Sequence, residues 1–350
     1  MFDLKDLGWN DRYAFGFEEF ARDGLVPGRV SAQEREGYRV IVEAGEYPAT
    51  VTGRYHHEAR HSESMPAVGD WVAASVHDDF ARIHVLLARR TALRRKVSND
   101  RVFAPQVVAA NIDVVFLATS ANRDFNLRRL ERLLTLVWES GAEPVVLVTK
   151  ADLVDDIAPY VAQAEETAYG VPVHAVSAHS GLGLAEFRAH VEPGRTAALV
   201  GTSGVGKSTL TNHLLGTRRM RVQSQRESDD RGRHTTTTRE LFVLPDGGCI
   251  VDTPGLRTVS LWASDEGLES TFGEIEELAA RCRFSDCTHK QEPGCAVREG
   301  VDEERLASYH KLQRELAFTE QKADKREAAK AKRKWKTFSK AVRRTKNRNT

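Results

Sequence analysis

The sequence predicts three folded units on one chain: a small antiparallel β-barrel, an α/β domain built on a parallel, doubly wound sheet, and a small helical unit that holds a metal. Three observations predict this. Between Gly37 and about Lys96, short alternating apolar runs recur roughly every ten residues, broken by Gly and Pro. After "SNDRVFAPQ" the rhythm lengthens, and apolar strands alternate with amphipathic helices as far as "TAALVGTSG". Between Cys282 and Cys295, three cysteines and a histidine crowd into fourteen residues.

In chain order, residues 1–36 are a mixed N-terminal extension ending in the charged "SAQEREG". Residues 37–98 hold the barrel strands, in "YRVIVEAG", "EYPATVTGRY", "VGDWVAASV" and "ARIHVLLARR". Barrels of this size often bind oligonucleotides. Residues 99–263 form the α/β domain. "IDVVFLATS", "PVVLVTKAD", "VPVHAVSA" and "TAALVGTSG" read as buried parallel strands, with "LRRLERLLTLVWES", "VDDIAPYVAQAEETAYG" and "GLAEFRAHV" as the helices between them. "RELFVLPDG" and "GCIVDTPG" are its closing strands. Residues 264–320 turn helical around the cysteine cluster, and 321–350 are a basic, low-complexity tail expected to be disordered.

Composition narrows the class. A chain of 350 residues has room for two or three domains. No apolar run nears the roughly 20 residues that span a bilayer. The start "MFDLKDLGWN" lacks the layout of a signal peptide, so a cytoplasmic, membrane-free protein is expected. The net charge of +1 hides an asymmetry: residues 322–350 carry thirteen Lys/Arg and two acids, a net of +11, which leaves about −10 for the rest. A basic arm with Trp335 and Phe338 interleaved suits a polyanionic partner such as RNA.

The strongest chemical signal is "GTSGVGKST", Gly201, Thr202, Ser203, Gly204, Val205, Gly206, Lys207, Ser208 and Thr209. It follows an apolar strand and opens a helix, the setting in which backbone N–H groups wrap a phosphate. There Lys207 would neutralise the β- and γ-phosphates and the Ser208 hydroxyl would ligate Mg²⁺. "CIVDTPG" places Asp252 at a strand end, where it can hold Mg²⁺ through water, and Gly255 where its N–H can meet a γ-phosphate. Between them "RGRHTTTTREL" is a polar loop that a γ-phosphate and Mg²⁺ can order; Thr236 or Thr237 would supply the second hydroxyl ligand, with Thr237 preferred.

Some fifty residues before the phosphate loop stands "TKAD", followed one strand later by "VSAHSGLG". Asp152 can accept from guanine N1 and N2, Lys150 can lie along the base, and the N–H of Ala178, next to Ser177, can donate to O6. Adenine lacks those donors, so guanine is expected. Thr149 stands where Asn is usual, which puts the tether between base loop and phosphate loop in question. Leu256 follows the glycine of "DTPG" and cannot orient water by hydrogen bonding. Slow intrinsic hydrolysis is therefore expected, with His234 the best substitute catalytic group.

Cys282, Cys287, His289 and Cys295 follow C-x₄-C-x-H-x₅-C, three thiolates and an imidazole that fit a closed structural Zn²⁺ site. Cys249 reads as a small core residue, and His56, His57 and His61 as solvated loop groups.

The order "TKAD", "SA", "GTSGVGKS", threonine loop, "DTPG" is that of a circularly permuted GTPase. With the barrel in front and "CRFSDCTHKQEPGCAV", "GRHTTT" and "ASYHKL", residues 37–318 resemble the ribosome small-subunit-dependent GTPase A family, RsgA/YjeQ. The resemblance implies an OB-fold, a permuted GTPase domain and a zinc domain. It also implies GTP as substrate, late small-subunit assembly as the task, and the small subunit with its rRNA as partners. By position it carries base contacts to Thr149, Lys150, Asp152, Ser177 and Ala178, phosphate contacts to Gly204–Thr209, and zinc to Cys282, Cys287, His289 and Cys295. A monomer is expected. The competing readings are a P-loop ATP-dependent kinase, which would not need Asp152, and an RNA-binding scaffold with a degenerate nucleotide site, against which intact Lys207, Ser208 and Asp252 argue.

Overall fold

Five strands close on themselves in the computed structural model: β1 (Val26–Gln33), β2 (Tyr38–Val42), β3 (Gly45–Val51), β4 (Trp71–His77) and β5 (Phe80–Leu86). The structure describes residues 1–59, 62–99, 102–216, 239–252 and 265–318, together with 321. β1 pairs antiparallel with both β2 and β4, and β2–β3 and β4–β5 are antiparallel as well. The ring closes through β3 and β5, which run parallel. The expected small antiparallel barrel is present, and one parallel pair is forced because strand directions cannot alternate all the way round an odd-numbered ring. β1 also lies upstream of Gly37, within the stretch read as extension. Pro27 and Gly28 break its alternation, and Arg29 and Ser31 are buried polar residues, so its pattern does not read as a strand. The barrel interior is Val30, Val40, Val42, Val72, Ala74 and Ile83 with their neighbours.

Ahead of the barrel, α1 (Asp11–Arg22) starts at Asn10, whose side chain accepts the Tyr13 N–H, and buries Tyr13 and Phe17. A short helix α2 (Gly53–Glu58) follows β3 and carries His56 and His57 exposed, as expected of solvated groups; His61 lies outside the described residues. Beyond the barrel come β6 (Ala92–Asn99) and β7 (Val102–Ala110), a two-stranded sheet that the sequence reading passed over as a boundary.

The α/β sheet consists of β8 (Val114–Ser120), β9 (Glu143–Thr149), β10 (Val173–Val176), β11 (Thr196–Gly201), β12 (Arg239–Val243) and β13 (Cys249–Asp252). Its order is β10-β9-β8-β11-β13-β12, parallel except for β12. The central strands are buried along almost their whole length because helices cover both faces, which is why they read as unbroken apolar runs. Helices α3 (Leu127–Ser140), α4 (Ala158–Thr167), α5 (Leu184–Ala189) and α6 (Lys207–Leu215) fall where periodicity predicts them. α3 is capped by Asn126 and ended by the left-handed Gly141. On one face Phe116, Leu147, Phe187, Leu199, Leu210 and Ile250 form the core, with Phe116 and Phe187 edge-on at 4.7 Å between centroids. Each such side chain contributes about 1.5–3 kcal/mol by burial.

β12 also pairs antiparallel with β1, setting Ala32 opposite Glu240 and Gln33 opposite Arg239, and the Arg239 guanidinium donates to Gln33 Oε1 at 2.8 Å. Barrel and nucleotide domain therefore share one eleven-stranded sheet. α7 (Asp265–Thr271) packs on α3 and buries Leu268. A separate unit comprises residues 96–104 and those from Glu274 onward. It contains most of α8 (Gly273–Ala279), α9 (Ala296–Gly300) and a helix over 303–318, with Arg305 ion-paired to Glu274 at 2.7 Å. Among the described residues, no helix is long and apolar enough to cross a membrane.

Candidate functional site

β8, β9 and β10 extend the sheet in one direction and β11 and β13 in the other, so the direction of winding reverses between β8 and β11. In open α/β sheets the crevice at the carboxyl ends of such strands takes the ligand. Gly201 closes β11 there with φ at +157°, and a Cβ on it would stand 2.5 Å from the Ala118 carbonyl oxygen, so only glycine lets the two strands lie this close. The loop then turns through left-handed Gly204 and Gly206 into the first turn of α6. Val205 anchors it with a buried side chain, while Thr202, Ser203, Gly204 and Gly206 leave its backbone open. Lys207 Nζ donates to the carbonyls of Gly201 and Thr202 at 2.8 and 2.5 Å, which holds the ammonium over the loop. Ser208 and Thr209 follow in the first turn of α6.

The base-reading residues come to the same crevice. Thr149 ends β9, buried, and its hydroxyl donates to the Val205 carbonyl at 2.7 Å; the Thr119 carbonyl lies 3.2 Å away. The expected tether between the two loops is thus made, by a hydroxyl where an amide is usual. Lys150 takes a left-handed conformation at φ +59°, which turns the chain sharply into the exposed Asp152. Ser177 Oγ donates to Asp152 Oδ1 at 2.5 Å, while the N–H groups of His179 and Ser180 donate to that same hydroxyl. The carboxylate is therefore aimed by a hydroxyl that is itself fixed by the backbone. This grip on Asp152 is a role the sequence reading did not give to Ser177. Ala178 is exposed beside it.

Asp252 ends β13 at the same edge, next to the phosphate loop's strand. His234, Thr236 and Thr237, with Gly255 and Leu256, lie outside the described residues. So does the basic tail with Trp335 and Phe338. Cys249 is fully buried in β13, and burial pushes its thiol up to about 11, which suits an inert core residue.

In the second unit the ligand atoms of Cys282, Cys287, His289 and Cys295 all lie within 4.8 Å of one another. His289 Nδ1 is 3.6 Å from Cys282 Sγ and 3.5 Å from Cys295 Sγ, and the two sulfurs are 3.9 Å apart. A tetrahedron with metal–sulfur arms of ~2.3 Å has edges of ~3.8 Å, so the four groups fit zinc. His289 itself takes a left-handed conformation, φ +59°. The Glu292 carboxylate collects the N–H groups of Thr288, Lys290 and Gln291 and the Thr288 hydroxyl, which fixes the stretch around the histidine. Nothing in the spacing of the sequence signals that role.

The sequence model of the RsgA GTPase family matches residues 86–262. A second model, for the ABC transporter family, matches residues 184–347, a span that begins shortly before the phosphate loop. The chain is 44% identical over 337 residues to the small ribosomal subunit biogenesis GTPase RsgA of Opitutus terrae, covering 92% of each chain. It is 46% identical over 302 residues to RsgA 2 of Lactiplantibacillus plantarum, covering 85% of each. Among solved structures, YjeQ from Thermotoga maritima superposes with a TM-score of 0.64 at 27% identity, covering 84% of this chain and 99% of the other. YloQ, described as a circularly permuted GTPase, shares the fold at a TM-score of 0.60 and 24% identity, over 84% of this chain and 95% of that one.

Proposed function

This chain belongs to the RsgA GTPase family, and from that premise we propose that it binds the small ribosomal subunit late in assembly in its GTP form and leaves after hydrolysis. It is a GTP-hydrolysing enzyme of small-subunit biogenesis that uses Mg²⁺. The observation that carries the reading is the meeting of base loop and phosphate loop in one crevice, through Thr149 on Val205 and Ser177 on Asp152.

Asp152 accepts from guanine N1 and N2 and Ala178 donates to O6, with Lys150 along the base. Gly201–Thr209 wrap the phosphates, the Lys207 ammonium exchanges its loop carbonyls for β- and γ-oxygens, and Ser208, Thr237 and Asp252 hold Mg²⁺. Gly255 meets the γ-phosphate. Leu256 leaves the attacking water without a partner, so His234 or the docked subunit positions it. Zinc on Cys282, Cys287, His289 and Cys295 holds the second unit's fold. The barrel and the basic tail contact rRNA, and the protein works as a cytoplasmic monomer.

Because β12 directly follows the threonine loop and pairs with barrel strand β1, ordering of that loop by GTP is felt in the barrel. Sedimentation with purified small subunits tests this coupling. Retention is expected to be stronger with a non-hydrolysable GTP analogue than with GDP, and equal retention would overturn nucleotide-gated docking.

A further inference from the structure

At the amino-terminal edge of the sheet, opposite the nucleotide crevice, lies a cavity of about 460 Å³ roofed by the N-terminal segment. Its lining includes Lys5, Trp9 and Tyr13 from that segment, Arg29 and Trp71 from the barrel, Arg90 from the connection between β5 and β6, and Asp113, Glu143 and Arg195 from the starts of the α/β strands. Arg90 is ion-paired to Asp113 and Arg195 to Glu143, so those four charges cancel. Lys5, exposed at the mouth, and Arg29, 1% exposed, form no ion pair among the described residues, and the buried Asp70 carboxylate that acts on Arg29 is itself paired to Arg89.

Arg29 is the anomaly. A buried guanidinium is costly unless an anion faces it. Here Nε donates to the Gly69 carbonyl at 3.3 Å and Nη2 to the Asn111 carbonyl at 3.1 Å, and the flat face lies 5.3 Å from the Trp71 ring centroid. These partners are neutral. The segment crosses the guanidinium through Gly8, φ +92°, where a Cβ would stand only 2.9 Å from Nη1. Two lining residues present buried polar atoms that lack hydrogen-bond partners among the described residues: the Trp71 indole N–H and the Tyr13 hydroxyl. Two donors without acceptors beside a buried guanidinium on neutral partners, around one net-positive cavity, describe an anion site, since buried polar groups are otherwise almost always satisfied. Trp9 lies 4.8 Å from Trp71 and 6.0 Å from Tyr13 between ring centroids, which adds an aromatic wall.

We propose that this cavity binds a small organic oxyanion, its phosphate or carboxylate head on Arg29 and Lys5 and its planar body against Trp9 and Tyr13. The volume falls in the range of small-molecule sites, about 300–1,000 Å³. Such a ligand would bridge segment, barrel and α/β sheet, because the Gly194 N–H already donates to the Asp6 carbonyl at 3.0 Å along the same seam.

The test uses the full chain saturated with GDP and Mg²⁺, so that the phosphate loop is filled. Phenyl phosphate, benzoate and inorganic phosphate are titrated separately, read by tryptophan fluorescence and thermal melting. At least one should bind saturably with a dissociation constant below about 1 mM and raise the melting temperature. Phenyl phosphate ahead of benzoate assigns a phosphate head, and the reverse assigns a carboxylate. Arg29→Met should weaken binding at least about tenfold. If that variant does not fold, Lys5→Glu, at an exposed position, should weaken it severalfold. No saturable response to any probe up to about 10 mM, or unchanged affinity in the folded variant, overturns the proposal.

Discussion

The hydroxyl of Thr149, at the end of β9, donates to the carbonyl of Val205 in the phosphate loop across 2.7 Å. One short bond thus joins the part of the chain that reads the base to the part, some fifty residues later, that holds the phosphates. Thr149→Val keeps the shape and removes the donor, leaving a buried carbonyl unpaired at a cost of about 1–3 kcal/mol. GDP affinity, measured with a fluorescent analogue, should fall about 5- to 100-fold, while Thr149→Asn should bind within a few-fold of the parent.

Ser177 and Asp152 give a specificity prediction. Asp152→Asn keeps one oxygen to accept N1–H but turns the other acceptor into an amide donor, which meets the guanine N2 amino group donor to donor and suits the O2 of xanthine. GDP binding should weaken by about 100-fold or more and XDP should become the better ligand in competition. Ser177→Ala, which frees the carboxylate, should cost about tenfold in GDP affinity without a switch of base.

The zinc cluster predicts a local failure. Cys287→Ser, or extraction with a strong chelator, should lower the bound zinc from one per chain and expose residues 274–318 to protease, since structural zinc supplies about 10–16 kcal/mol of local folding free energy. GDP affinity should stay within about twofold, because the nucleotide crevice lies in the other unit.

Asp70 and Arg89 lock the barrel. The guanidinium donates to both carboxylate oxygens, at 2.8 and 2.7 Å, and to the carbonyls of Glu63 and Met65, with Asp70 wholly buried. Arg89→Met strands the carboxylate and should destabilise the protein by about 3–5 kcal/mol in denaturant unfolding, far more than loss of the exposed Arg54–Glu58 pair.

A fifth prediction concerns pH. His190 Nε2 lies 2.9 Å from His174 Nε2, so one ring donates to the other. Burial, then His174, then Arg195 hold the His190 imidazole below its usual pKa, while Glu143 works the other way. The unfolded chain therefore binds a proton at His190 more readily than the folded one. Stability from this group is complete above the unfolded value of about 6.5 and is lost as pH falls through the lower folded value. The drop in melting temperature between pH 7.5 and 5.5 should be shallower in His190→Gln.

The strands and helices of the α/β domain, the phosphate loop and the zinc ligands were legible because each has a local signature. Continuous apolar runs mark β8, β9 and β11, and glycine spacing and thiol clustering mark the two sites. β1 was illegible: Gly28 is required because Val40 and Val42 pack over it, and the partners of buried Arg29, namely Gly69, Trp71 and Asn111, lie far along the chain. The parallel β3–β5 contact follows from ring closure, a global constraint that no local pattern carries. The bonds Thr149–Val205 and Ser177–Asp152 join segments 56 and 25 residues apart, so the sequence named their members without showing that they meet.

The most direct test of the account is GTP turnover measured with and without purified small ribosomal subunits. With Leu256 unable to position water, the free protein should hydrolyse GTP slowly, and added subunits should raise the rate by about tenfold or more, with ATP giving no comparable turnover. Equal rates with and without subunits would contradict it.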